Sequence, residues 1–423
     1  MTMPSASCAC AAGLGWIVAA AALAGLGAPC AAQGFVLSPK VHPTGSSIFA
    51  DETGLYLPCL VREPGTGAPR WLPIVHFDGT KFRTLGSGQI AATREPAGGE
   101  AVARGADGSI LLRGRFDVEG WPASCLAARA DGMWKVVVRD DLNPYELVAV
   151  GGKIFAAGYQ PKAAPRSLSG LFRVDARTAA WTDVGMMMRG VGKPQPGQVG
   201  EIVVAGSKMY VAGHFNVVGG RDCRDIVEFD SATDTWTAIE PPYPPAPINA
   251  LGAPGEPIGT SKAFLATPNG TAFWIGTHRK MFGPQDQAIA VRERGAWRML
   301  GKIESDEGQL HSLKLVASGN AVYAVGSFGT LLGEKCEGFA LWDGARFVAA
   351  GKQRGIWSVP APPSTDPLRQ WTVRDRQIID VTGGWPGKIV VVARDEAARK
   401  TQPLAIFDVG SGAWMEIRSG LED

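Results

Sequence analysis

The sequence predicts an all-β chain built from seven copies of one four-stranded antiparallel unit. Three observations predict it. The stretch Met209–Ile239, MYVAGHFNVVGGRDCRDIVEFDSATDTWTAI, holds an apolar run ending in Gly, a glycine-rich loop, a second apolar run ending in Asp, and then a Trp. Most of the chain repeats that order, which is the signature of a repeat architecture. Gly (55) and Pro (30) make about a fifth of the 423 residues and 13 are Trp, a composition that suits short strands joined by many turns.

Taken in order, each unit has four apolar runs, strands a to d. The first unit reads SSIFADE, GLYLPCLV, LPIVHFDG and KFRTLG, from Ser46 to Gly86. The second, ending at Val138, is EAVARGADG, SILLRGRF, CLAARADG and MWKVVV; the third, ending at Gly185, is YELVAVGG, KIFAAGYQ, GLFRVDARTAA and WTDVG. The fourth is EIVVAGS, KMYVAGHF, DIVEFDSATDT and WTAIE; the fifth, less regular, is KAFLATPNG, TAFWIGTH, AIAVRERG and AWRMLG. SLKLVASG, NAVYAVGSF, GFALWDG and ARFVAAG form the sixth, and IIDVTGG, KIVVVARDE, LAIFDVGSG and AWMEI the seventh, ending at Ile417. Strand d opens on Phe82, Trp134, Trp181, Trp236, Trp297, Phe347 and Trp414. The turn before it carries Asp78, Asp131, Asp175, Asp230, Asp343 and Asp408, with Arg294 the exception. Those Asp read as clamps that bond turn N–H groups.

No such unit can bury both of its faces alone, so seven of them are expected to pack face to face as a seven-bladed β-propeller of four-stranded antiparallel blades. The strand-d aromatics then fill the space between neighbouring twisted sheets. Both end units look complete, so no strand swap closing the ring is legible; Phe35–Ser38 is a candidate outer strand.

The pattern vYvaG-x-F…FD-x-x-T-x-x-W-x-x-l resembles the kelch and galactose-oxidase-central-domain type of β-propeller over Ser46 to Ile417. It departs from kelch in lacking paired glycines after strand b, where Gly158, Gly213, Gly276 and Gly326 stand single. The resemblance implies a fold and no particular activity. Galactose-oxidase chemistry needs copper held by Tyr and His with a Tyr–Cys crosslink, and nothing here matches that motif; no cofactor is expected. The S-x-D-x-G-x-T-W box of sialidases is not present in full, and no G-x-S-x-G elbow occurs.

The chain organises as 1–32, 33–45 and 46–423: a signal peptide or uncleaved anchor, an N-terminal extension, and the propeller. Residues 11–28 (AAGLGWIVAAAALAGLGA) are apolar and uncharged, and Cys30 with Ala32 gives the small-x-small pattern of a cleavage site after Ala32. The n-region MTMPSASC carries no Lys or Arg, which departs from that pattern and keeps a membrane anchor as the competing reading. A secreted or periplasmic location follows, with no membrane insertion once the leader is removed. The net charge of +2 and the scattered basic residues speak against a nucleic-acid partner. Four cysteines lie beyond the leader. Cys125, Cys223 and Cys336 follow Phe116, Phe215 and Phe328 by eight or nine residues, so they read as equivalent points on alternate units, beyond the about 7 Å Cα limit for a disulfide. Cys59 lies in strand b of unit one.

In a propeller, the b-to-c and d-to-a connections share one face. Three d-to-a connections are long and rich in Pro and Gly: Gly185–Gly200, Pro241–Ser261 and Gly351–Arg376. Just after strand b stand Arg115, Tyr159 and His214, with Arg62 and Arg394 in the irregular units, and these are ligand-binding candidates. His278, on the neighbouring connection, is the residue that could join His214 as ligand or acid/base pair. The five histidines form no HxH, HExxH or HxxxH pair, so no metal site is expected; His76 reads as structural. The leading expectation is an exported, non-catalytic scaffold that presents long loops to a glycan, peptide or protein. The alternative is a propeller enzyme, a polysaccharide hydrolase or lyase with its site at the channel mouth.

Overall fold

The computed structural model describes residues 35–37, 49–62, 71–79, 82–85, 99–104, 108–118, 121–130, 133–139, 143–160, 168–175, 181–188, 195–243, 259–278, 287–303, 313–326, 328, 330–336, 338–350, 376–395 and 404–417. The expected leader and the connections 244–258 and 351–375 lie outside them.

The first unit gives β1 (Phe35–Leu37), β2 (Phe49–Asp51), β3 (Gly54–Arg62), β4 (Trp71–Phe77) and β5 (Phe82–Thr84). The second gives β6 (Gly99–Arg104), β7 (Ile110–Val118), β8 (Trp121–Ala130) and β9 (Met133–Arg139). The third gives β10 (Asn143–Val150), β11 (Lys153–Gln160), β12 (Leu168–Val174) and β13 (Trp181–Asp183), followed by the short β14 (Met187–Met188) and β15 (Gln195–Pro196). The fourth holds β16 (Gln198–Ala205), β17 (Lys208–His214), a small hairpin of β18 (Val217–Val218) and β19 (Arg221–Asp222), then β20 (Ile226–Asp230) and β21 (Thr235–Ala238). The fifth is β22 (Gly259–Ala266), β23 (Ala272–His278), β24 (Gln287–Glu293) and β25 (Ala296–Lys302). The sixth is β26 (Leu313–Ser318), β27 (Ala321–Gly326), a hairpin of β28 (Thr330–Leu331) and β29 (Glu334–Lys335), β30 (Phe339–Trp342) and β31 (Phe347–Ala349). The seventh is β32 (Arg376–Thr382), β33 (Lys388–Asp395), β34 (Leu404–Asp408) and β35 (Ala413–Ile417).

The architecture is a β-propeller with four-stranded antiparallel blades. The expectation of seven such blades is corrected: six blades are four-stranded meanders of strands a, b, c and d, not seven. The first unit forms a five-stranded sheet instead. Its strand β3 is nine residues long, whereas β2 pairs only with Gly54–Tyr56. The remaining edge at Cys59–Val61 pairs with β1, because backbone N–H and C=O groups on an uncovered edge seek partners. Phe35–Leu37 therefore lies on the inner edge of its sheet, not the outer edge expected from sequence, since β4 covers the other side of β3.

Strands b and c are the apolar centre of each sheet. In β17 the run Met209–Ala212 is buried throughout, as is Ala288–Val291 of β24, so both faces of these strands are covered. Strand d is more exposed, as in β21 and β25. Consecutive sheets meet through their innermost strands, β6 with β10, β10 with β16, β16 with β22, β22 with β26, and β26 with β32. Those strands surround the central channel.

Each junction has its own apolar core. Phe155 and Leu171 of the third blade join Met209 and Phe229 of the fourth, and Phe273 of the fifth joins Phe347 of the sixth. Fully burying such side chains contributes about 1.5–3 kcal/mol each. The strand-d aromatics do the expected work: Trp236 lies 4.8 Å from Phe229 in its own blade and 6.3 Å from Phe155 in the preceding one. Trp134 donates its indole N–H to Leu85 O (2.9 Å) and Trp297 to Glu240 O (2.6 Å), each reaching back to the end of strand d in the preceding sheet. The last and first sheets meet where Trp385 packs edge-on against Phe77.

Three of the turn Asp residues are clamps, as expected. Asp230 Oδ1 accepts from Ala232 N (2.9 Å), Asp343 Oδ1 from Ala345 N (2.8 Å) and Arg346 N (2.9 Å), and Asp408 Oδ1 from Ser411 N (2.7 Å). His76 packs at a tilt against Tyr56, with ring centroids 4.6 Å apart, as the structural reading expects. Cys223 and Cys336 are free thiols.

Candidate functional site

The rim of the loop-rich face begins at the strand-b glycine. Strand a carries a β-bulge opposite it in four units, between Gly99/Ala101, Pro144/Glu146, Val199/Glu201 and Ser261/Ala263, and the seventh unit has the same bulge, between Ile378/Asp380, opposite Ala393. The bulge drives backbone toward strand b. A Cβ on Gly213 would sit 2.1 Å from Gln198 O, so only glycine fits there. This close approach is the reason for glycine at Gly213, whereas Ala393 takes the place opposite the bulge of the seventh unit.

One residue further on, the candidates take equivalent places in the ladder. Tyr159 pairs with Asn143, His214 with Gln198 and Arg394 with Gln377, while Arg115 follows Gly114, which faces Gly99. Arg62 ends β3 opposite Trp71. His278 pairs with Gly259 and stands two residues after Gly276, so Thr277, not His278, is the counterpart of His214. The side chains of Arg62, Arg115, Tyr159, His278 and Arg394 lie outside the described residues.

His214 is the candidate whose surroundings are defined. Its side chain is 58% exposed, and Nδ1 lies 3.8 Å from Oδ1 of Asp225, whose side chain is 15% exposed. The Asp225 carboxylate raises the imidazole pKa above its ordinary value against the opposing effect of partial burial. Asp225 Oδ2 accepts a hydrogen bond of 2.8 Å from the hydroxyl of Tyr243, which is buried in the core between the fourth and fifth blades. Burial, then the Asp225 charge, pushes the Tyr243 hydroxyl pKa upward, so it stays a donor. Arg224 Nη2 bonds Tyr243 O at 2.8 Å and pairs with Glu240 Oε2 at 2.9 Å, and its guanidinium lies 5.7 Å from the Tyr243 ring centroid. Trp274 backs the same ring at 5.5 Å.

Sequence reading found His214 and missed Asp225. Gly213 N donates to Asp225 O (2.9 Å), and in the sixth blade Gly326 N donates to Gly338 O (3.0 Å), so Asp225 and Gly338 are counterparts. Both have positive φ, 57° and 85°. An Asp where the other blade uses Gly was a signal available in the repeat. The same register corrects the cysteines: Cys223 and Cys336 each stand two residues before these counterparts, whereas Cys125 pairs directly with Gly114 and so corresponds to Asp225. Burial first, then Asp225 and Asp222, pushes the Cys223 thiol up to about 12, so it is not a nucleophile at neutral pH.

Beside His214 stands a small platform. Either side of 189–194, β14 and β15 join β18 and β19 in one sheet, ordered β15-β14-β18-β19. Met186, Phe215 and Val218 anchor it in the core of the third and fourth blades. Its edge strands are two residues long and one holds Pro196, which blunts them against strand addition.

Glu146, Glu201, Lys314 and Asp380 occupy equivalent ladder positions. Glu201 is enclosed by protein yet keeps intermediate exposure, as a group lining a narrow channel does. Its carboxylate accepts from Phe264 N of the next blade, and burial, opposed by that bond and by Lys314, pushes it up to about 7. Among the described residues no three His, Cys, Asp or Glu side chains group as a metal site.

No protein-family model and no curated protein matches the chain. Solved structures similar to it include the β-propeller domain of the Trilobed protease from Pyrococcus furiosus, 11% identical, with 77% of this chain and 86% of that one covered and a TM-score of 0.45. Acinetobacter baumannii TolB is 12% identical, covering 88% of this chain and 65% of that one, TM-score 0.36. The Pseudomonas aeruginosa periplasmic gluconolactonase PpgL is 13% identical, covering 85% and 96%, TM-score 0.41. Among the described residues no helix is long and apolar enough to cross a membrane.

Proposed function

We propose that this chain is an exported, non-catalytic β-propeller scaffold that binds a glycan, peptide or protein at its loop-rich face. The leader at 1–32, the extension 33–45 and the propeller at 46–423 form its organisation on this reading, which keeps the resemblance to kelch-like repeats. The observation that carries it is the β15-β14-β18-β19 platform. Two connections that a minimal propeller keeps short are elaborated here into an ordered sheet anchored in the blade core by Met186, Phe215 and Val218. A rigid, raised surface lowers the ordering cost of binding. The test is to replace Val217–Asp222 with a short turn and compare both proteins on glycan and peptide arrays. Binding lost with the hairpin supports the scaffold; binding unchanged by its removal sinks it.

A second reading, an enzyme acting on a polysaccharide, is favoured by the His214–Asp225 pair, since an exposed imidazole held by a carboxylate can serve as acid or base. Turnover of a polysaccharide by the purified protein, abolished in His214→Ala, is the result that would favour it over the scaffold.

A further inference from the structure

Asp225 holds a backbone conformation that favours glycine, and its counterpart in the sixth blade is glycine. Its carboxylate uses that position to reach two groups at once: Tyr243 OH on Oδ2 and His214 Nδ1 beside Oδ1. Tyr243 is buried, so the carboxylate is held from behind while the imidazole stays exposed in front. A carboxylate beside Nδ1 favours the neutral tautomer with its proton on Nδ1, which leaves the Nε2 lone pair for a ligand. The other charged groups of this cluster are already engaged, Arg224 with Tyr243 O and Glu240. Beside that carboxylate the described side chains offer an imidazole that accepts in its neutral form and, directly across the strand pair, the exposed Gln198 amide. An acceptor nitrogen beside an amide suits ligand hydroxyls.

We propose that His214, positioned by Asp225 and Tyr243, accepts a hydrogen bond through Nε2 from a hydroxyl of a neutral carbohydrate bound beside the platform. His214 is the contacting residue; Asp225 and Tyr243 are positioning residues. The identity of the ligand rests on the scaffold reading above, whereas the arrangement of the imidazole does not.

Two measurements test the arrangement without a ligand. Nitrogen NMR of the His214 ring should show a protonated Nδ1 and a bare Nε2 in the neutral form, with the titration moving to lower pH in Asp225→Asn. A neutral ring protonated at Nε2, or a titration unmoved by Asp225→Asn, overturns the proposal. In a Tyr243→Phe background, which removes the buried hydroxyl, Asp225→Gly should leave the melting temperature unchanged or higher; a clear fall means that the carboxylate is retained for stability and overturns it too. The ligand class is tested on an array of neutral β-glucan, xylan, chitin and mannan oligosaccharides. At least tenfold weaker binding by His214→Ala and a severalfold loss by Asp225→Asn are expected. Binding unaffected by His214→Ala, or no neutral oligosaccharide bound, overturns the carbohydrate assignment. The hairpin replacement, read on a peptide array, judges the scaffold separately.

Discussion

Trp385 meets Phe77 edge-on, with ring centroids 6.0 Å apart and planes at 89°, across the junction between the last and first sheets. The same indole lies against Gly79, and its neighbours Gly383 and Gly384 press on the inner strands at either side. A Cβ on Gly383 would meet Ala317 O at 1.8 Å, and one on Gly384 would meet Ala50 O at 2.1 Å. The turn Gly383–Trp385 is thus wedged between the sixth blade and the first sheet. Among the described residues no strand is shared at that junction.

Trp385→Ala should therefore weaken ring closure by about 1–3 kcal/mol, the cost of removing a half-buried aromatic. Gly384→Ala should cost a similar amount by overpacking against Ala50 O. Urea unfolding midpoints read both, and a wild-type midpoint in the two variants would show that the junction is held elsewhere.

Gly213→Ala is expected to destabilise by about 1–3 kcal/mol, because its Cβ collides with the bulged backbone at Gln198. It should also displace His214, the next residue. Thermal melting gives the first effect and the His214 ring chemical shifts the second.

Glu201 predicts a pH dependence of definite sign. Its folded pKa, about 7, lies above the ordinary 4.5. Folding then takes up a proton in that window, so the contribution is fully present below about 4.5 and is lost as pH rises through about 7. Glu201→Gln keeps an acceptor for Phe264 N without the buried charge. At pH 8 it should be more stable than wild type by an order of 1–3 kcal/mol, and at pH 4 the two should converge. Equal stability at both pH values would contradict the burial argument.

Asp408 behaves in the opposite sense. Lys388 first, then Ser411, lowers its carboxyl to about 2, so its contribution is present above about 4 and is lost as pH falls through about 2. The group is roughly one-third exposed, and solvent screening limits its worth to about 1 kcal/mol. Asp408→Asn should lower the melting temperature by a few degrees at pH 7, with the difference closing near pH 2.

The repeat was legible because most units spell the same local physics: β-forming apolar runs, a glycine late in strand b, an Asp in the turn before strand d and an aromatic that opens that strand. The site was legible only at His214, which breaks the pattern of its counterparts. Asp225 and Tyr243 went unread because a short turn's backbone geometry and a contact 18 residues distant carry no periodic signal. The cysteine alignment by spacing failed for Cys125 because the second unit joins β7 to β8 by a tight hairpin without the insert present in the fourth and sixth.

By itself the sequence determined the all-β class, the order of strands within each unit and the junction-filling role of Trp134, Trp236 and Trp297, since these depend on side-chain periodicity and turn chemistry along the chain. Only the tertiary structure decided that six blades are four-stranded, that Phe35–Leu37 completes the inner edge of the first sheet, that Met187–Met188 and Gln195–Pro196 join the hairpin of the next blade, and that Asp225 faces His214. Each of those depends on which backbone edge or polar group is left unsatisfied once the sheets have packed, and that is settled by neighbours far apart in the chain.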